Sequence, residues 1–417
     1  MTERYDVLVV GAGPAGLAAV RAAAGQGARV GLIDAQARAG GQVWRHDVRH
    51  GVPSLARRHL AAALESPRVD WLAATRVVAV EAGGLLVEDA QHARRLEYDA
   101  LILATGAREL LLPFPGWTLP GVTGAGGLQA LSKQGWPLAD RRVVVAGSGP
   151  LLLAVAATAR RHGAQVLGIH EQAGRDAMLR FAGGLWRWPS RLVQAASLRT
   201  HLAGVPYRWG SVVVAAHGDD RLREIDIDGP RGRQRIECDH LAVGYGLVPE
   251  VRLARMLGCD LTPEGAHRRV TVGTRQGTSV ANVYAAGEVC GIGGRDSAIV
   301  EGAIAGHAAT GSTTGLAALE RRRRGARRFA AHLSRHFALV ARVRELAAPD
   351  TLVCRCEDVP LSALDDFDDG RAAKLATRCG MGACQGRICG AALAEMGRCS
   401  PHGERPPLFP VRLESLA

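Results

Sequence analysis

The sequence predicts an α/β protein with two Rossmann-like units and a small cysteine-rich domain at the C-terminal end. Two apolar strands each run into a glycine motif and then a helical pattern, at residues 5–24 and 142–153. Five cysteines fall between Cys354 and Cys389. The repeated strand, glycine and helix pattern indicates duplication of one nucleotide-binding unit, and the cysteine cluster indicates metal binding.

The first glycine motif follows an apolar strand at the start of the chain and reads Gly11-x-Gly13-x-x-Gly16. Gly11 permits a tight turn, Gly13 lets a pyrophosphate approach the backbone, and Gly16 lets the helix pack closely on the strand. A second strand ends in Asp34, where a carboxylate can accept a hydrogen bond from an adenosine ribose hydroxyl. These features predict a dinucleotide site.

Further motifs of this unit match flavoproteins of the disulfide-reductase-like type. The turn at residues 40–42 corresponds to the place where their chain passes beside the flavin, and residues 104–106 match their crossover motif. A strand at residues 75–81 is expected to offer backbone groups to adenine. No cysteine precedes Cys238, so the dithiol relay of those enzymes is excluded.

Residues 278–288 resemble the terminal flavin motif of the same class, and Glu288 stands where an aspartate usually contacts the ribityl chain. The following helix, residues 297–309, is expected to direct its N-terminus at the flavin ring. The predicted cofactor-binding residues are Gly11, Gly13, Pro14, Ala15, Gly16, Asp34, Gly41, Gln42, Val77, Ala104, Thr105, Gly106, Gly287 and Glu288.

The second unit repeats the motif with two changes. Leu152 takes the position of the third glycine after Gly147-x-Gly149, so helix and strand are expected to pack less closely. Counting 23 residues from Gly147 gives His170 instead of an acid, and Glu171 is expected to lie on the other face. We expect a retained fold without a pyridine nucleotide; an NAD(P) site or another adenine nucleotide are the alternatives.

The net charge of +12 is almost entirely arginine, because the chain has only two lysines. Aromatic residues make up 4%, too few for base-stacking platforms, so no nucleic-acid partner is expected. The densest basic run, residues 321–328, is interpreted as a solvated helix face or linker, with an anionic partner surface as the alternative. Residues 178–206, rich in tryptophan and arginine, are interpreted either as core or as a ligand or partner surface.

No run of 18 apolar residues occurs, so no membrane span is expected. A strand begins after four residues, so no signal peptide is expected, and a cytoplasmic location follows by default. The predicted domains are residues 1–112 with 246–315 for the first nucleotide-binding domain, 113–245 for the second, 316–349 for an arginine-rich linker or helix, and 350–417 for the cysteine-rich domain and tail.

The clustered cysteines are spaced CxC, then 22 residues, then CxxxxC. Four thiolates on two loops suit a [2Fe–2S] cluster, and a structural zinc ion is the alternative. We expect Cys354, Cys356, Cys379 and Cys384 to bind the metal. Cys389, five residues beyond Cys384, is interpreted as a core or backup thiol.

Five segments carry a family resemblance: residues 145–153, 244–249, 287–294, 354–358 and 378–387. Through them, nearly the whole chain resembles the larger α (or A) subunit of heteromeric, flavin-dependent amino-acid dehydrogenases. That family includes opine oxidases, hydrogen cyanide synthase and D-hydroxyproline dehydrogenase. The last two segments resemble the [2Fe–2S] domain of bacterioferritin-associated ferredoxin (BFD).

The resemblance implies FAD, or another adenine nucleotide as in some relatives, in the first unit, together with a [2Fe–2S] cluster and FMN at a subunit interface. It implies a partner β subunit, similar to glycine or sarcosine oxidase, that oxidises a C–N bond. A small γ subunit is a further partner that the resemblance allows. This chain would then carry electrons to a quinone or respiratory-chain acceptor, which could hold it at the inner membrane. No catalytic residue is assigned here.

Two other functions stay open. One is a stand-alone NAD(P)H-dependent flavin and iron–sulfur reductase. The other is a non-catalytic scaffold subunit that binds nucleotide and metal.

Overall fold

A computed structural model describes residues 3–398 and 405–415, and these divide between two compact units. Of these described residues, the first unit contains 3–108, 248–330 and 405–415, and the second contains 109–247 and 331–398. The boundaries expected after residues 112 and 245 lie within four residues of this division. The cysteine-rich domain groups with the second unit, whereas the tail groups with the first.

The first stretch of the chain forms seven strands and two helices. They are β1 (Glu3–Val10), α1 (Pro14–Ala24), β2 (Val30–Ile33), α2 (Ser54–Leu64), β3 (Val69–Leu72), β4 (Arg76–Glu81), β5 (Gly84–Glu88), β6 (Ala93–Leu103) and β7 (Ala107–Glu109).

The middle stretch forms nine strands and four helices. They are β8 (Val122–Gly124), α3 (Ala125–Lys133), β9 (Arg142–Gly147), α4 (Leu151–Arg161), β10 (Gln165–Glu171), α5 (Arg175–Gly184), α6 (Pro189–His201), β11 (Tyr207–Trp209), β12 (Val212–His217), β13 (Glu224–Asp228), β14 (Gln234–Glu237), β15 (His240–Gly244) and β16 (Leu247–Pro249).

The last stretch forms six helices and five strands. They are α7 (Arg252–Met256), β17 (Leu261–Glu264), β18 (His267–Val270), β19 (Val283–Ala285), α8 (Arg295–Ala309), α9 (Leu316–His336), α10 (Ala341–Arg344), β20 (Leu352–Cys354), β21 (Val359–Pro360), α11 (Gly370–Thr377) and α12 (Cys389–Glu395).

The first unit is built on a seven-stranded sheet in the order β3-β2-β1-β6-β5-β4, with β19 also paired to β6. The central strand β1 is buried from Val7 to Val10, as expected for a parallel strand covered on both faces. Helices α1 and α8 cover one face, and a Cβ on Gly302 of α8 would overlap the Ala15 carbonyl of α1. This close approach brings the glycine motif and the segment before α8 together.

The second unit has a five-stranded parallel sheet in the order β11-β10-β9-β15-β8, accompanied by the antiparallel sheet β12-β13-β14. Its core consists of the apolar residues of β9 and β10 packed against α3 and α4. The Rossmann-like arrangement of parallel strands and helices that the sequence predicts is therefore present in both units.

The arginine-rich run lies on α9 and is not uniformly solvated. Arg323 is buried and donates to the carbonyl of Thr274 at 2.7 Å and to Oε1 of Gln276 at 2.8 Å. Arg327 forms an ion pair with the buried Glu301 at 3.1 Å. The interpretation as a solvated helix face or linker is therefore wrong for the buried Arg323, whereas Arg327 is exposed. Both arginines hold this part of α9 to other segments of the first unit. Among the described residues, no helix is both long and apolar enough to cross a membrane.

Candidate functional site

The first glycine loop connects β1 to α1 and leaves one side open. A Cβ at Gly11 would overlap the carbonyl oxygen of Ala104, and a Cβ at Gly16 would overlap the carbonyl oxygen of Gly11. A Cβ at Gly13 would instead meet no atom within 4 Å. Gly11 and Gly16 thus hold strand and helix together, while Gly13 faces the space that a pyrophosphate needs.

Asp34 lies directly after β2 and is anchored to this loop. One carboxylate oxygen accepts from the Ala12 N–H at 2.7 Å, and the other accepts from the Gln36 N–H at 2.8 Å. Burial raises the pKa of Asp34, and the two backbone donors oppose that rise. Each oxygen keeps a further lone pair, so the carboxylate can still accept from a ribose hydroxyl.

Two flanking segments border the same loop. The Gly40 N–H donates to the Ala12 carbonyl at 2.8 Å, and a Cβ at Gly41 would lie 2.9 Å from the Cα of Gly13. Gln42 next to it is exposed and accepts from Arg45. The turn at residues 40–42 therefore lies against the point where a pyrophosphate would sit.

The crossover segment begins with Ala104, whose N–H donates to the Val10 carbonyl at 2.9 Å. The Thr105 hydroxyl donates to the Glu250 carbonyl at 2.7 Å, and the Glu250 N–H donates to the Gly106 carbonyl at 2.9 Å. This segment is therefore fixed beside the glycine loop by backbone bonds at both ends.

Two predicted residues direct their side chains away from the site. Val77 on β4 is 5% exposed and packs in the core. The backbone two residues earlier does reach the site, because the Thr75 N–H donates to the Asp34 carbonyl at 2.9 Å. Ala15 is also 5% exposed, and its Cβ lies 2.8 Å from the place of a Cβ at Gly287. Any ligand contact of Ala15 or Val77 must come from the backbone. Pro14 is the first residue of α1, where its missing N–H is not needed.

Glu288 lies in a short 3-10 helix, Glu288–Cys290, before α8. Burial raises the pKa of its carboxyl, and a hydrogen bond from the Gly294 N–H opposes the rise. The neighbouring Glu301 accepts from the Gly287 N–H at 3.1 Å and from the Ser297 hydroxyl at 3.2 Å. Sequence reasoning missed Glu301, because a glutamate in a helix carries no local signal of burial. It fixes the backbone on which Glu288 stands.

The second glycine loop, between β9 and α4, is covered by the chain itself. The Ser148 hydroxyl donates to the carbonyl of Phe337 at 2.9 Å, and the Phe337 ring lies 3.9 Å from the place of a Cβ at Gly149. Gln172 donates to the Ala338 carbonyl at 3.0 Å and accepts from the Val340 N–H at 2.9 Å. We call residues 337–340 the covering segment. It lies where a pyrophosphate would approach Gly149, whereas the equivalent Gly13 is open.

Glu171 occupies the acidic position of the second unit, which corrects the sequence prediction. A β-bulge between Val166 and Gly168 adds one residue to β10, so the pairing partner of Gly147 is Glu171. The Gly149 N–H donates to Glu171 at 2.7 Å, as the Ala12 N–H does to Asp34. The residue count gave His170 because it assumed regular pairing. The acid is present, but it is fully buried.

Burial raises the pKa of Glu171 to about 7, against the hydrogen bonds from the Ala173 and Gly149 N–H groups. A carboxyl whose pKa is higher in the folded state stabilises the fold below its unfolded pKa, and this contribution is lost as pH rises through the folded value. We expect the free energy of unfolding to fall by up to about 3 kcal/mol between pH 4.5 and 7 through this group. Chemical denaturation at several pH values should show that the free energy of unfolding of Glu171→Gln changes less with pH than that of the wild type. The exposed control Glu237→Gln should keep the wild-type slope, and equal slopes in all three proteins would contradict the assignment.

Five thiols come together in the cysteine-rich domain. The Sγ atoms of Cys354, Cys379 and Cys389 lie within 4.8 Å of one another. Cys356 and Cys384 hydrogen-bond to each other beside them. Cys389, interpreted as a core or backup thiol, therefore lies among the predicted ligands. The CxxxxC spacing occurs twice, at 379–384 and 384–389. Spacing alone therefore could not decide whether Cys379 or Cys389 is the ligand that accompanies Cys384.

The loop around these thiols fits a thiophilic metal group. A Cβ at Gly382 would overlap the Cβ of Cys356, so only glycine permits the close approach. Burial raises the pKa of Cys384, but hydrogen bonds from the N–H groups of Ile388, Gly386 and Arg387 bring it below its ordinary value. Backbone N–H groups directed at a thiolate are the environment that iron–sulfur ligands need.

The segment rich in tryptophan and arginine forms α5, a short 3-10 helix and α6. Trp186 is 68% exposed, and the Cζ atom of Arg187 lies 5.1 Å from the centroid of its ring. The interpretation as a core residue is therefore wrong for Trp186. Trp188 is half-buried, with its ring 5.2 Å from the His332 ring. Helix α6 buries none of its residues.

Comparison with known proteins adds a family and a set of relatives. The profile of the pyridine nucleotide-disulphide oxidoreductase family matches residues 5–310. The hydrogen cyanide synthase subunit HcnB of Pseudomonas aeruginosa is 34% identical, over 92% of this chain and 90% of that protein. The A subunit of opine oxidase from Agrobacterium tumefaciens is 31% identical, over 100% of this chain and 92% of that protein.

The crystal structure of L-proline dehydrogenase from P. horikoshii has a similar fold. It aligns with a TM-score of 0.69 over 100% of this chain and 80% of that chain, at 18% identity. The likeness shows that the fold continues beyond the residues matched by the family profile.

Proposed function

Because the chain belongs to the pyridine nucleotide-disulphide oxidoreductase family, with HcnB of hydrogen cyanide synthase and the A subunit of opine oxidase as relatives, we propose that it is an electron-transfer subunit of a heteromeric flavin-dependent dehydrogenase. Its partner subunit would oxidise a secondary amine or an amino acid, with amine and acceptor giving imine and reduced acceptor. The imine then hydrolyses. The observation that supports the proposal is the covering segment, which lies over the second glycine loop where a pyridine nucleotide would have to bind.

The first site would hold FAD. Gly11, Gly13 and Gly16 would admit the pyrophosphate, and Asp34 would bind the adenosine ribose. Glu288 would bind the ribityl chain, held in place through Gly287 and Glu301. When bound, the flavin supplies two-electron and one-electron redox chemistry. The chain's own residues bind it and orient it.

The thiol cluster would hold [2Fe–2S], with Cys354, Cys356, Cys379 and Cys384 as ligands. Such a cluster supplies one-electron transfer when bound. The Cys384 thiol, already favoured as thiolate by backbone N–H groups, would be an effective ligand. A zinc ion on the same thiols would instead support the scaffold function.

The substrate chemistry would lie in a partner similar to glycine or sarcosine oxidase. The relatives named above are themselves named as subunits, which supports a partner for this chain. FMN at the subunit interface, a small γ subunit, and a quinone or respiratory-chain acceptor belong to the same proposal. No side chain of this chain is proposed as the acid or base of amine oxidation.

An anaerobic titration of the purified chain separates this function from a stand-alone reductase. We expect NADH and NADPH to leave the visible spectrum unchanged, because the covering segment and Phe337 occupy the second loop. Dithionite should then bleach both flavin and iron–sulfur bands, which serves as the control for redox competence. Bleaching by either pyridine nucleotide would overturn the proposal in favour of the reductase.

A further inference from the structure

The second unit carries a half-open cavity of about 520 Å³ that the proposed function does not use. It lies at the carboxyl ends of β10 and β11, the edge of a parallel sheet at which Rossmann-like folds bind ligands. The hairpin between β13 and β14 forms its other wall. Its lining includes His170, Arg175, Tyr207, Arg208, Trp209 and Arg231.

The cavity is positively charged. Arg175, Arg208 and Arg231 line it, and no acidic side chain among the described residues does so. Within the described part of the chain, none of the three arginines forms an ion pair, although Arg208 donates to Oε1 of Gln234 at 3.3 Å. Other exposed arginines in this unit, such as Arg223 and Arg235, do have acidic partners. The three guanidinium groups are therefore free to bind an anion, and guanidinium suits phosphate best.

Two residues that line the cavity each carry a buried polar atom without a hydrogen-bond partner among the described residues. His170 is 1% exposed and lines the cavity, yet its Nδ1 has no hydrogen bond. The indole Nε1 of Trp209 is also buried and unpaired. Burial, with the charge of Arg208, lowers the pKa of His170 to about 4, so the imidazole is neutral at neutral pH. Because both nitrogens are shielded from solvent, a base in the cavity would contact the accessible ring of Trp209 and not these atoms.

Aromatic rings provide a planar surface beside the arginines. Tyr207 and Trp209 lie edge to face with ring centroids 6.4 Å apart, and both line the cavity. Trp209 is half-buried, so part of its ring is accessible. Heterocyclic bases stack on such rings, and the cavity volume falls in the range of small-molecule sites.

We propose that this cavity binds a nucleoside monophosphate, with the phosphate on Arg175, Arg208 and Arg231 and the base on the Trp209 ring. We propose a mononucleotide and not a dinucleotide, because residues 337–340 cover the second glycine loop, where the rest of a dinucleotide would have to lie. The proposal does not depend on the flavin or the thiol cluster.

Isothermal titration calorimetry with AMP, adenosine and inorganic phosphate tests the site on the full chain. We expect AMP to bind more tightly than either fragment. Arg231→Glu, on the exposed hairpin, should weaken AMP and phosphate by about tenfold or more. Trp209→Leu should weaken AMP while leaving phosphate binding unchanged.

Arg161→Glu is the matched control, because Arg161 is an exposed arginine of the same unit outside the cavity lining. It should bind AMP like the wild type. Equal AMP affinity in the wild type and Arg231→Glu would assign binding to the first glycine loop and overturn the proposal. Absence of AMP binding, or AMP binding no tighter than phosphate, would also overturn it.

Discussion

Replacing Gly13 with valine is expected to give a folded chain that purifies without FAD. The first loop is open only above Gly13, where an added side chain meets no protein atom within 4 Å. Valine would therefore fit the protein and fill the space of the pyrophosphate. Flavin content should fall from about one per chain to near zero, measured by absorbance of the released cofactor.

Gly183→Val provides the matched control for this substitution. Gly183 lies on α5 in the other unit, is exposed, and also has no atom within 4 Å of an added Cβ. It should retain its flavin. Both variants should keep the wild-type circular dichroism, because neither change forces a backbone shift. Full flavin occupancy in Gly13→Val would refute the first site.

Replacing Cys384 with serine is expected to remove the iron–sulfur group completely. Backbone N–H groups of Ile388, Gly386 and Arg387 and the Cys356 thiol donate to this sulfur and lower its pKa against the effect of burial, which favours it as a thiolate ligand. Iron should fall from about two per chain to near zero, together with the visible absorbance. FAD should stay bound, because the first glycine loop belongs to the other unit. Unchanged iron in this variant would exclude Cys384 as a ligand.

Serine variants of Cys379 and Cys389 decide the remaining ligand position. Both thiols are buried and both lie within 4.8 Å of Cys354. The proposed set requires loss of iron in Cys379→Ser and retention in Cys389→Ser. The reverse result would move that position to Cys389. Cys238→Ser, a buried cysteine of the same unit outside the cluster, is the control for nonspecific effects.

The first unit could be predicted in detail because its signals are local. Strands β1 and β2 pair regularly up to Val10 and Ile33. Gly11 and Asp34 are the residues that follow directly on each strand, so a count along the sequence finds both. Side-chain direction was less accessible to sequence reasoning. Ala15 and Val77 are within the predicted motifs but pack into the core.

The second unit shows where counting residues fails. One bulge in β10 moved the acidic position from His170 to Glu171, and a bulge leaves no reliable mark in a single sequence. The covering segment was also inaccessible, because it depends on contacts between residues far apart in the chain, such as Ser148 with Phe337. The same limit applies to Arg323 and Arg327, whose buried partners lie on distant segments.

Residues 337–340 also bear on metabolism. A flavoprotein that binds NADH or NADPH would oxidise the coenzyme that a cell needs for biosynthesis and pass the electrons to its own acceptor. With Phe337 beside Gly149 and Ser148 bonded to the same segment, the proposed function implies that this chain would not oxidise that coenzyme. In the proposed complex, turnover would follow the supply of amine alone, so nutrient catabolism and the coenzyme balance of the cell would stay uncoupled.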